Sequence, residues 1–229
     1  MASIASNLHI VRDKVSQAAL KVGRNPEDIQ IIAVTKTVDI PQMEEAIAAG
    51  ITAVGENRVQ EITKKYPLLK EKVDWHLIGH LQTNKVKYII DKVKMIHSLD
   101  RFSLVKEISK RAQQQGIVMP VLVQVNVAEE ESKFGLKVEE VIPFLKDIVG
   151  IKGLKILGLM TMAPFVEDAE EVRYVFRDLR NLAEKITKQA IPGVEMKHLS
   201  MGMTNDYEVA VEEGATLIRV GTGIFGQRK

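Results

Sequence analysis

Two hydrophobic patterns alternate along the chain from one end to the other. In the first, apolar residues recur every three or four positions, which is typical of an amphipathic helix. The earliest example begins at Ile4 and is stopped by Gly23 and by Asn25-Pro26. In the second pattern a short apolar run is uninterrupted, as in strands covered on both faces of a sheet. The chain is therefore predicted to alternate strands with helices.

Eight strands are predicted after this N-terminal helix. They span residues 31–35, 52–55, 75–78, 95–98, 121–125, 156–160, 198–200 and 217–220. Helices are predicted at about 39–50, from 58 onward, and at 83–92, 100–115, 139–149, 172–186 and 205–213, with Asp100 and Asn205 as caps. This order favours an α/β fold, a single (β/α)8 TIM-type barrel with an extra N-terminal helix. An open, doubly wound sheet of eight strands is the alternative.

Length and composition agree with one barrel. The chain has 229 residues, of which 45% are hydrophobic and 27% charged, so a sizeable core and a polar surface are both possible. We therefore expect residues 1–229 to form one domain, and we expect a monomer. The 32 Lys and Arg residues are interleaved with 30 Asp and Glu residues, so no nucleic-acid partner is predicted. Even the densest basic stretch, residues 85–94, contains Asp91 and is typical of a solvated surface.

The sequence also restricts the cellular compartment and the available chemistry. Because the chain has no cysteine, disulfides, thiolate nucleophiles and thiolate metal sites are excluded. Charged residues interrupt the N-terminal stretch, so no signal peptide is predicted. No run approaches 18 apolar residues, so no membrane partner is expected. We expect a cytoplasmic protein.

Polar residues at the predicted strand ends are the candidates for function, because chemistry in these barrels sits at the C-terminal ends of the strands. Asn57, His80 and Met160 follow or close strands two, three and six, and we take them as candidate ligand-binding residues. The other strand ends carry Lys36, Glu56, Ser98, Asn126, Thr161, Ser200, Gly202 and the segment 221–223.

Lys36 directly follows five apolar residues of strand one. Such a lysine either extends its amine to solvent or points it into the barrel mouth. A partly desolvated lysine has a lowered pKa, which exposes the amine lone pair for attack on an aldehyde. We predict that Lys36 forms a Schiff base.

The loops after strands seven and eight are predicted to bind a phosphate group, as they commonly do in barrels. They carry Ser200, Gly202, Gly221 and Thr222, where glycines allow close approach of backbone amides and hydroxyls add donors. The alternative is that these glycines only shape tight turns.

Arg219 lies between Ile218 and Val220 in an otherwise apolar strand, where a buried guanidinium needs a partner. Alternation places it on the same face as Gly221, deeper along the same ligand. It would donate there to an acceptor such as a pyridine nitrogen. A structural salt bridge is the alternative.

Two further patterns are set aside. Residues 221–226 match G-x-G-x-x-G, but a dinucleotide site needs a following helix, a second strand and an acid, and only three residues remain. His76 and His80 are four apart on a predicted strand and turn, without the glutamate of a zinc motif, so no metal site is predicted. We expect His97 and His198 to be hydrogen-bonded core residues.

Several segments together resemble the pyridoxal 5′-phosphate (PLP) homeostasis protein family. The resemblance spans nearly the whole chain. Its segments are residues 33–36, 55–61, 75–85, 97–100, 158–162, 199–206 and 219–226.

The resemblance implies a barrel like the alanine racemase N-terminal domain, with PLP as cofactor on Lys36. It implies that the loops after strands seven and eight hold the phosphate and that Arg219 lies at the pyridine nitrogen. It also implies a role in balancing the supply of PLP (vitamin B6) and amino-acid pools, with no established catalytic residue. Apo PLP-dependent enzymes are then the expected protein partners.

A PLP-dependent racemase or lyase is the main alternative function. Racemisation needs acid/base groups on both faces of the cofactor, and racemases of this type take one from a C-terminal β-domain that we expect to be missing beyond Lys229. Arginine at the ring nitrogen also weakens the electron sink, because it does not keep the nitrogen protonated. A Schiff-base aldolase without cofactor is a third, weaker option.

Overall fold

The computed structural model describes residues 3–227, which contain a closed barrel of eight parallel strands. Neighbouring strands pair in sequence order, and the first strand pairs with the last, with Ile31 opposite Ile218. The barrel prediction is therefore confirmed and the open sheet is wrong. The strands are β1 (Gln30–Val34), β2 (Ala53–Glu56), β3 (Asp74–Leu77), β4 (Met95–Leu99), β5 (Met119–Gln124), β6 (Leu154–Met160), β7 (Val194–Met203) and β8 (Leu217–Val220).

Helices surround the barrel and connect its strands. The predicted helix at 83–92 is only a short 3-10 helix, Thr83–Tyr88. No helix within residues 3–227 is long and apolar enough to cross a membrane. The α-helices are α1 (Ile4–Lys21), α2 (Ile40–Ala48), α3 (Val59–Leu69), α4 (Phe102–Gln114), α5 (Val138–Ile148), α6 (Arg173–Lys188), α7 (Tyr207–Glu212) and α8 (Thr222–Phe225).

Helix α1 is the extra N-terminal helix that the periodicity predicts. Ser3 caps it by accepting a hydrogen bond from Ser6 N at 3.1 Å. Its apolar face is buried against α7 and α8, and Asn7 donates from its side chain to Ile224 O at 3.0 Å. The helix thereby fastens the segment that follows β8, next to the mouth of the barrel.

Strand alternation sorts side chains into two cores. Ile32 and Met160 belong to a small cluster inside the barrel. Ala33 and Val54 instead belong to the larger cluster between the strands and the helices. Residues of β1 an even number of positions from Ile32 therefore point into the barrel. Lys36, four positions after Ile32, is placed over the barrel mouth.

Two predicted helix caps are wrong. Helix α4 has Arg101 at its cap position, without a side-chain cap, while Asp100 pairs with Arg101 Nη1 at 2.5 Å. Helix α7 begins after Asp206 rather than Asn205, again without a side-chain cap. The Asp206 carboxylate accepts from Met203 N at 2.5 Å. Asp100 and Asn205 are therefore not the caps that the sequence pattern predicted.

Strand β7 is much longer than predicted, ten residues rather than 198–200. Its first half alternates exposed Glu195 and Lys197 with half-buried residues, so it lacks the continuous apolar run used to find strands. Its second half passes through Gly202, whose φ is +90°, and the pairing register shifts between Ser200 and Met203. Ser200 therefore lies within the strand, and the loop begins only after Met203.

Candidate functional site

A cavity of about 770 Å³ opens at the C-terminal end of the barrel. This is the face where such barrels carry their chemistry. Residues that follow seven of the eight strands, all except β4, contribute to its wall, and the segment after β5 contributes one of them. The lining residues are Val34, Lys36, Asn57, Ile78, Lys133, Met162, Ala163, Pro164, Phe165, Val166, Met203, Thr204, Asn205, Asp206, Arg219, Gly221, Thr222 and Gln227.

Five of the nine predicted ligand-binding residues lie together on this wall. They come from the ends of β1, β2 and β8, which are neighbours in the closed sheet. The sequence could therefore predict their proximity once a barrel was assumed. They are Lys36, Asn57, Arg219, Gly221 and Thr222.

Lys36 sits in a tight turn at the end of β1. The turn is closed by a hydrogen bond from Val38 N to Thr35 O at 2.9 Å, and the Lys36 side chain is half-buried. The next residue, Thr37, has φ = 65°, a left-handed conformation that non-glycine residues rarely adopt. Strained backbone of this kind persists only where the surrounding structure holds it, and it is concentrated at functional sites.

Arg219 contributes a buried guanidinium to the same cavity. It is 3% exposed, and it donates from Nη1 to Ser200 Oγ at 2.6 Å and from Nη2 to Thr161 O at 2.8 Å. Burial lowers the pKa of Arg219 to about 10, and the charge of Asp206 opposes that effect. No carboxylate of residues 3–227 pairs with Arg219, so the structural salt bridge considered from the sequence is wrong.

The guanidinium also has donors to spare. It carries five N–H groups and no acceptor, and within the described chain only two of them make hydrogen bonds. Buried cations require compensating acceptors. The arrangement therefore fits a ligand that brings hydrogen-bond acceptors or negative charge into the cavity.

A series of buried, hydrogen-bonded side chains holds Arg219 in place. Ser200 Oγ lies 2.9 Å from His97 Nδ1, and His97 Nε2 lies 2.9 Å from His76 Nδ1. Because arginine only donates, Ser200 Oγ accepts from Arg219, and the tautomers of the two rings set the direction of the hydrogen bonds of His97 with Ser200 and with His76. Burial lowers the pKa of His97 well below its usual value and that of His76 to about 4, so both rings are neutral.

These hydrogen bonds and the complete burial of His97 confirm that it is a hydrogen-bonded core residue. His198, predicted to be similar, is only half-buried, with Nδ1 3.4 Å from Thr216 Oγ1. Within residues 3–227, no group of three or more His, Cys, Asp or Glu side chains is arranged to hold a metal ion.

Four predicted ligand-binding residues do not lie on the cavity wall. Ser200 is fully buried, with its hydroxyl in contact with Arg219 and His97, and its role as a phosphate ligand stays a prediction. Gly202 is buried in β7, where an added Cβ would come within 2.6 Å of Ala210 Cβ. Strand β7 was predicted to end too early, which is why both were placed in a loop.

The other two lie elsewhere for different reasons. Met160 is fully buried in the cluster inside the barrel. The His80 ring stacks on Phe134 with centroids 3.8 Å apart and an interplanar angle of 18°, and its Nδ1 lies 3.5 Å from Asp100 Oδ2. Nothing in the cavity geometry gives either residue contact with a ligand, so their assignment stays a prediction.

Sequence reasoning missed individual cavity residues in the segments that follow β5, β6 and β7, among them Lys133, Phe165 and Thr204. Thr204 offers a hydroxyl on the cavity wall, and its Oγ1 accepts from Gly223 N at 3.3 Å, which links the two loops predicted to hold phosphate. Lys133 also lines the cavity, with Nζ 2.7 Å from Glu130 Oε1. Thr204 belongs to the segment 199–206 of the family resemblance, which is the signal that could have identified it.

Comparisons with known proteins agree with the barrel fold. The profile of the family described as "Alanine racemase, N-terminal domain" matches residues 3–229. A protein of Aquifex aeolicus named pyridoxal phosphate homeostasis protein is 44% identical over 220 residues, covering 96% of each chain.

Two solved structures show the same fold at substantial sequence identity. A protein of unknown function from Bifidobacterium adolescentis is 37% identical with a TM-score of 0.92, covering 96% of this chain and 94% of that one. PipY of Synechococcus elongatus, solved with PLP bound, is 33% identical with a TM-score of 0.85, covering 98% of this chain and 100% of that one.

Proposed function

We propose, from the fact that this chain belongs to the alanine racemase N-terminal domain family, that it binds PLP as a Schiff base on Lys36 and acts in intracellular PLP homeostasis. The similar protein named for PLP homeostasis and the PLP-bound structure of PipY support this proposal. The same proposal makes it a reversible carrier of PLP that delivers the cofactor to apo-enzymes.

The observation that carries the proposal is that one cavity holds both an amine and a buried guanidinium that makes no salt bridge with the described residues. Lys36 and Arg219 both line it. Arg219 is 3% exposed and hydrogen-bonds only to neutral oxygens within the described residues. PLP offers what these two groups require, an aldehyde for the amine and acceptor atoms for the guanidinium.

Each group has a distinct task in this arrangement. Lys36 would supply the nucleophilic amine, and Arg219 would donate to the ring nitrogen from the position that its hydrogen bonds to Ser200 and Thr161 fix. Thr222, Gly221 and the Thr204 loop are the phosphate-binding elements, because they bring hydroxyls and backbone N–H groups to one side of the cavity. When bound, PLP supplies an electrophilic aldehyde that exchanges between amines.

A carrier role fits these residues better than catalysis of amino-acid chemistry. Among the described residues that line the cavity there is no tyrosine, histidine or cysteine to serve as an acid/base group opposite Lys36. The two other ionisable groups besides Arg219 are engaged, Lys133 with Glu130 and Asp206 with Met203 N. Arginine at the ring nitrogen also does not keep that nitrogen protonated, which disfavours carbanion chemistry.

The carrier proposal predicts transfer without turnover. Protein loaded with PLP should restore the activity of a PLP-free enzyme, and it should catalyse no sustained exchange of the α-proton of alanine or serine in heavy water. Exchange followed by NMR at about one turnover per second or faster would show that the protein is a racemase or lyase instead. Free PLP at the same total concentration is the control for transfer through solution.

The geometry also predicts that variants at Thr222 and Ser200 differ in how strongly they weaken the binding of PLP relative to pyridoxal, which lacks the phosphate. Thr222→Val removes a hydroxyl donor to a charged group, worth roughly 1.5–3 kcal/mol, so it should weaken PLP about ten- to a hundredfold and pyridoxal much less. Ser200→Ala removes the support of Arg219, so it should weaken both ligands equally. If Ser200→Ala instead weakens PLP alone in absorbance titrations, the Ser200 hydroxyl does contact phosphate, as the sequence first indicated.

A further inference from the structure

A second lysine is buried directly behind the turn that carries Lys36. Lys65, on α3, is 5% exposed. Its Nζ donates to Thr35 O at 2.8 Å and to Glu56 Oε1 at 2.8 Å, and it pairs with Glu61 Oε2 at 2.9 Å. An ammonium group has three N–H donors, so all of them are used. This amine therefore does not compete with Lys36 for an aldehyde.

The carbonyl that Lys65 holds is the one that closes the Lys36 turn. Thr35 O accepts from Val38 N at 2.9 Å as well as from Lys65. Lys36 and Thr37 occupy the two corners of this turn, and Thr37 has the left-handed φ of 65°. A threonine in that conformation is strained, so the turn depends on neighbouring contacts to keep its shape.

Glu56 completes the arrangement from β2. It is fully buried, and its Oε1 accepts from Thr35 Oγ1 at 2.7 Å as well as from Lys65. Its Oε2 has no hydrogen-bond partner among the described residues. Burial raises the pKa of Glu56, and the contacts with Lys65 oppose that effect.

A structural role alone explains this cluster poorly. A buried ion pair generally holds two elements together no better than apolar residues of the same volume. What an apolar residue lacks is a donor for the Thr35 carbonyl. The cluster therefore has its specific effect on the strand ends that lead into Lys36 and Asn57.

We propose that Lys65 is a positioning residue: its buried ammonium group clamps the Thr35 carbonyl and thereby fixes the turn that directs Lys36 into the cavity. This inference rests on the proposed role of Lys36 in binding PLP and adds a residue outside the cavity to that site. Glu56 and Glu61 hold the Lys65 side chain in place.

The test uses Lys65→Met combined with Glu56→Met, which removes both buried charges together and leaves neither unpaired. Two quantities are measured on the full chain: the affinity for PLP, and the rate at which trinitrobenzenesulfonate labels Lys36 in PLP-free protein, mapped by mass spectrometry. We expect a melting temperature close to that of the wild type, roughly tenfold weaker PLP binding and a severalfold change in the labelling rate.

Arg173→Met is the matched control. It also removes a cation that contacts several carboxylates, Glu170, Glu212 and Glu213, and none of these belongs to the Lys36 turn. It should lower the melting temperature while leaving PLP affinity and Lys36 labelling at wild-type values.

The outcomes separate the clamp from the carrier role. A stable double variant with wild-type PLP affinity and Lys36 labelling would overturn the clamp. If the wild type forms no adduct at Lys36, the proposed function fails, but a changed labelling rate in the double variant still supports the clamp. If the double variant does not fold, Lys65→Met combined with Glu56→Gln keeps an acceptor for Thr35 Oγ1 and still removes the donor to the Thr35 carbonyl. A wild-type labelling rate in that variant would then overturn the clamp.

Discussion

Replacing Lys36 with alanine is expected to abolish the visible absorbance of the PLP-loaded protein and the adduct trapped by borohydride. The Schiff base needs a nucleophilic amine at this position, and among the described residues two further lysines near the site are held by carboxylates. Lys133 has Nζ 2.7 Å from Glu130 Oε1, and Lys65 is buried with every donor used. The fold should persist, because Lys36 is half-buried at the cavity rather than in the core.

Mass spectrometry of the reduced protein under limiting PLP is the deciding measurement. Lys133→Ala is the matched control, since it removes the other lysine that lines the cavity and should leave the Lys36 adduct in place. Peptide mapping that locates the wild-type adduct on any lysine other than Lys36 would show that the assignment is wrong. Circular dichroism of Lys36→Ala separates loss of the nucleophile from loss of the fold.

The largest effect on stability is expected from Gly158→Ala. Gly158 lies in β6 with φ = +149°, and an added Cβ would stand 1.8 Å from His198 O, the backbone of the paired strand β7. Backbone cannot move aside as a flexible side chain can, so the two strands would have to separate. A cost above about 4 kcal/mol is expected, a large part of the 5–15 kcal/mol by which domains are usually stable.

Urea unfolding followed by circular dichroism measures this effect, with PLP absent from both proteins. Gly116→Ala is the control, because Gly116 also has a positive φ, +65°, but an added Cβ would meet nothing within 4 Å. That variant should lose only about 1–2 kcal/mol, the cost of a left-handed alanine. Equal losses in the two variants would mean that backbone conformation, not the contact with β7, dominates at Gly158.

The two loops predicted to bind phosphate show how far strand-end reasoning reached. For β8, Leu217–Val220, the predicted bounds match the structure, and Gly221 and Thr222 lie on the cavity wall. For β7, the predicted end at Ser200 came three residues too early. That error moved Ser200 and Gly202 from the strand into a loop and left Thr204 unnoticed.

The two predicted helix caps were wrong, and the partner of His97 could not be predicted, because both depend on contacts that form only in the folded chain. Asp100 and Asn205 match the local pattern of a helix start, but neither caps its helix. Asp100 pairs with Arg101, and α7 begins only after Asp206, whose carboxylate accepts from Met203 N. The contact between His97 and His76 joins two neighbouring strands, so neither residue's local sequence could reveal it.

The sequence by itself determined the alternation of strands and helices and the position of Lys36 at a strand end, and it favoured the barrel that the pairing of β1 with β8 then closed. These follow from hydrophobic periodicity, which is local and repeats along the chain. The tertiary structure alone decided which polar side chains share the cavity and which are buried beneath it. That depends on register and strand length, which set the direction of each side chain through contacts between distant segments. The pairing of Lys65 with the Thr35 carbonyl, between residues 30 positions apart, arises only when β1 and α3 are brought together.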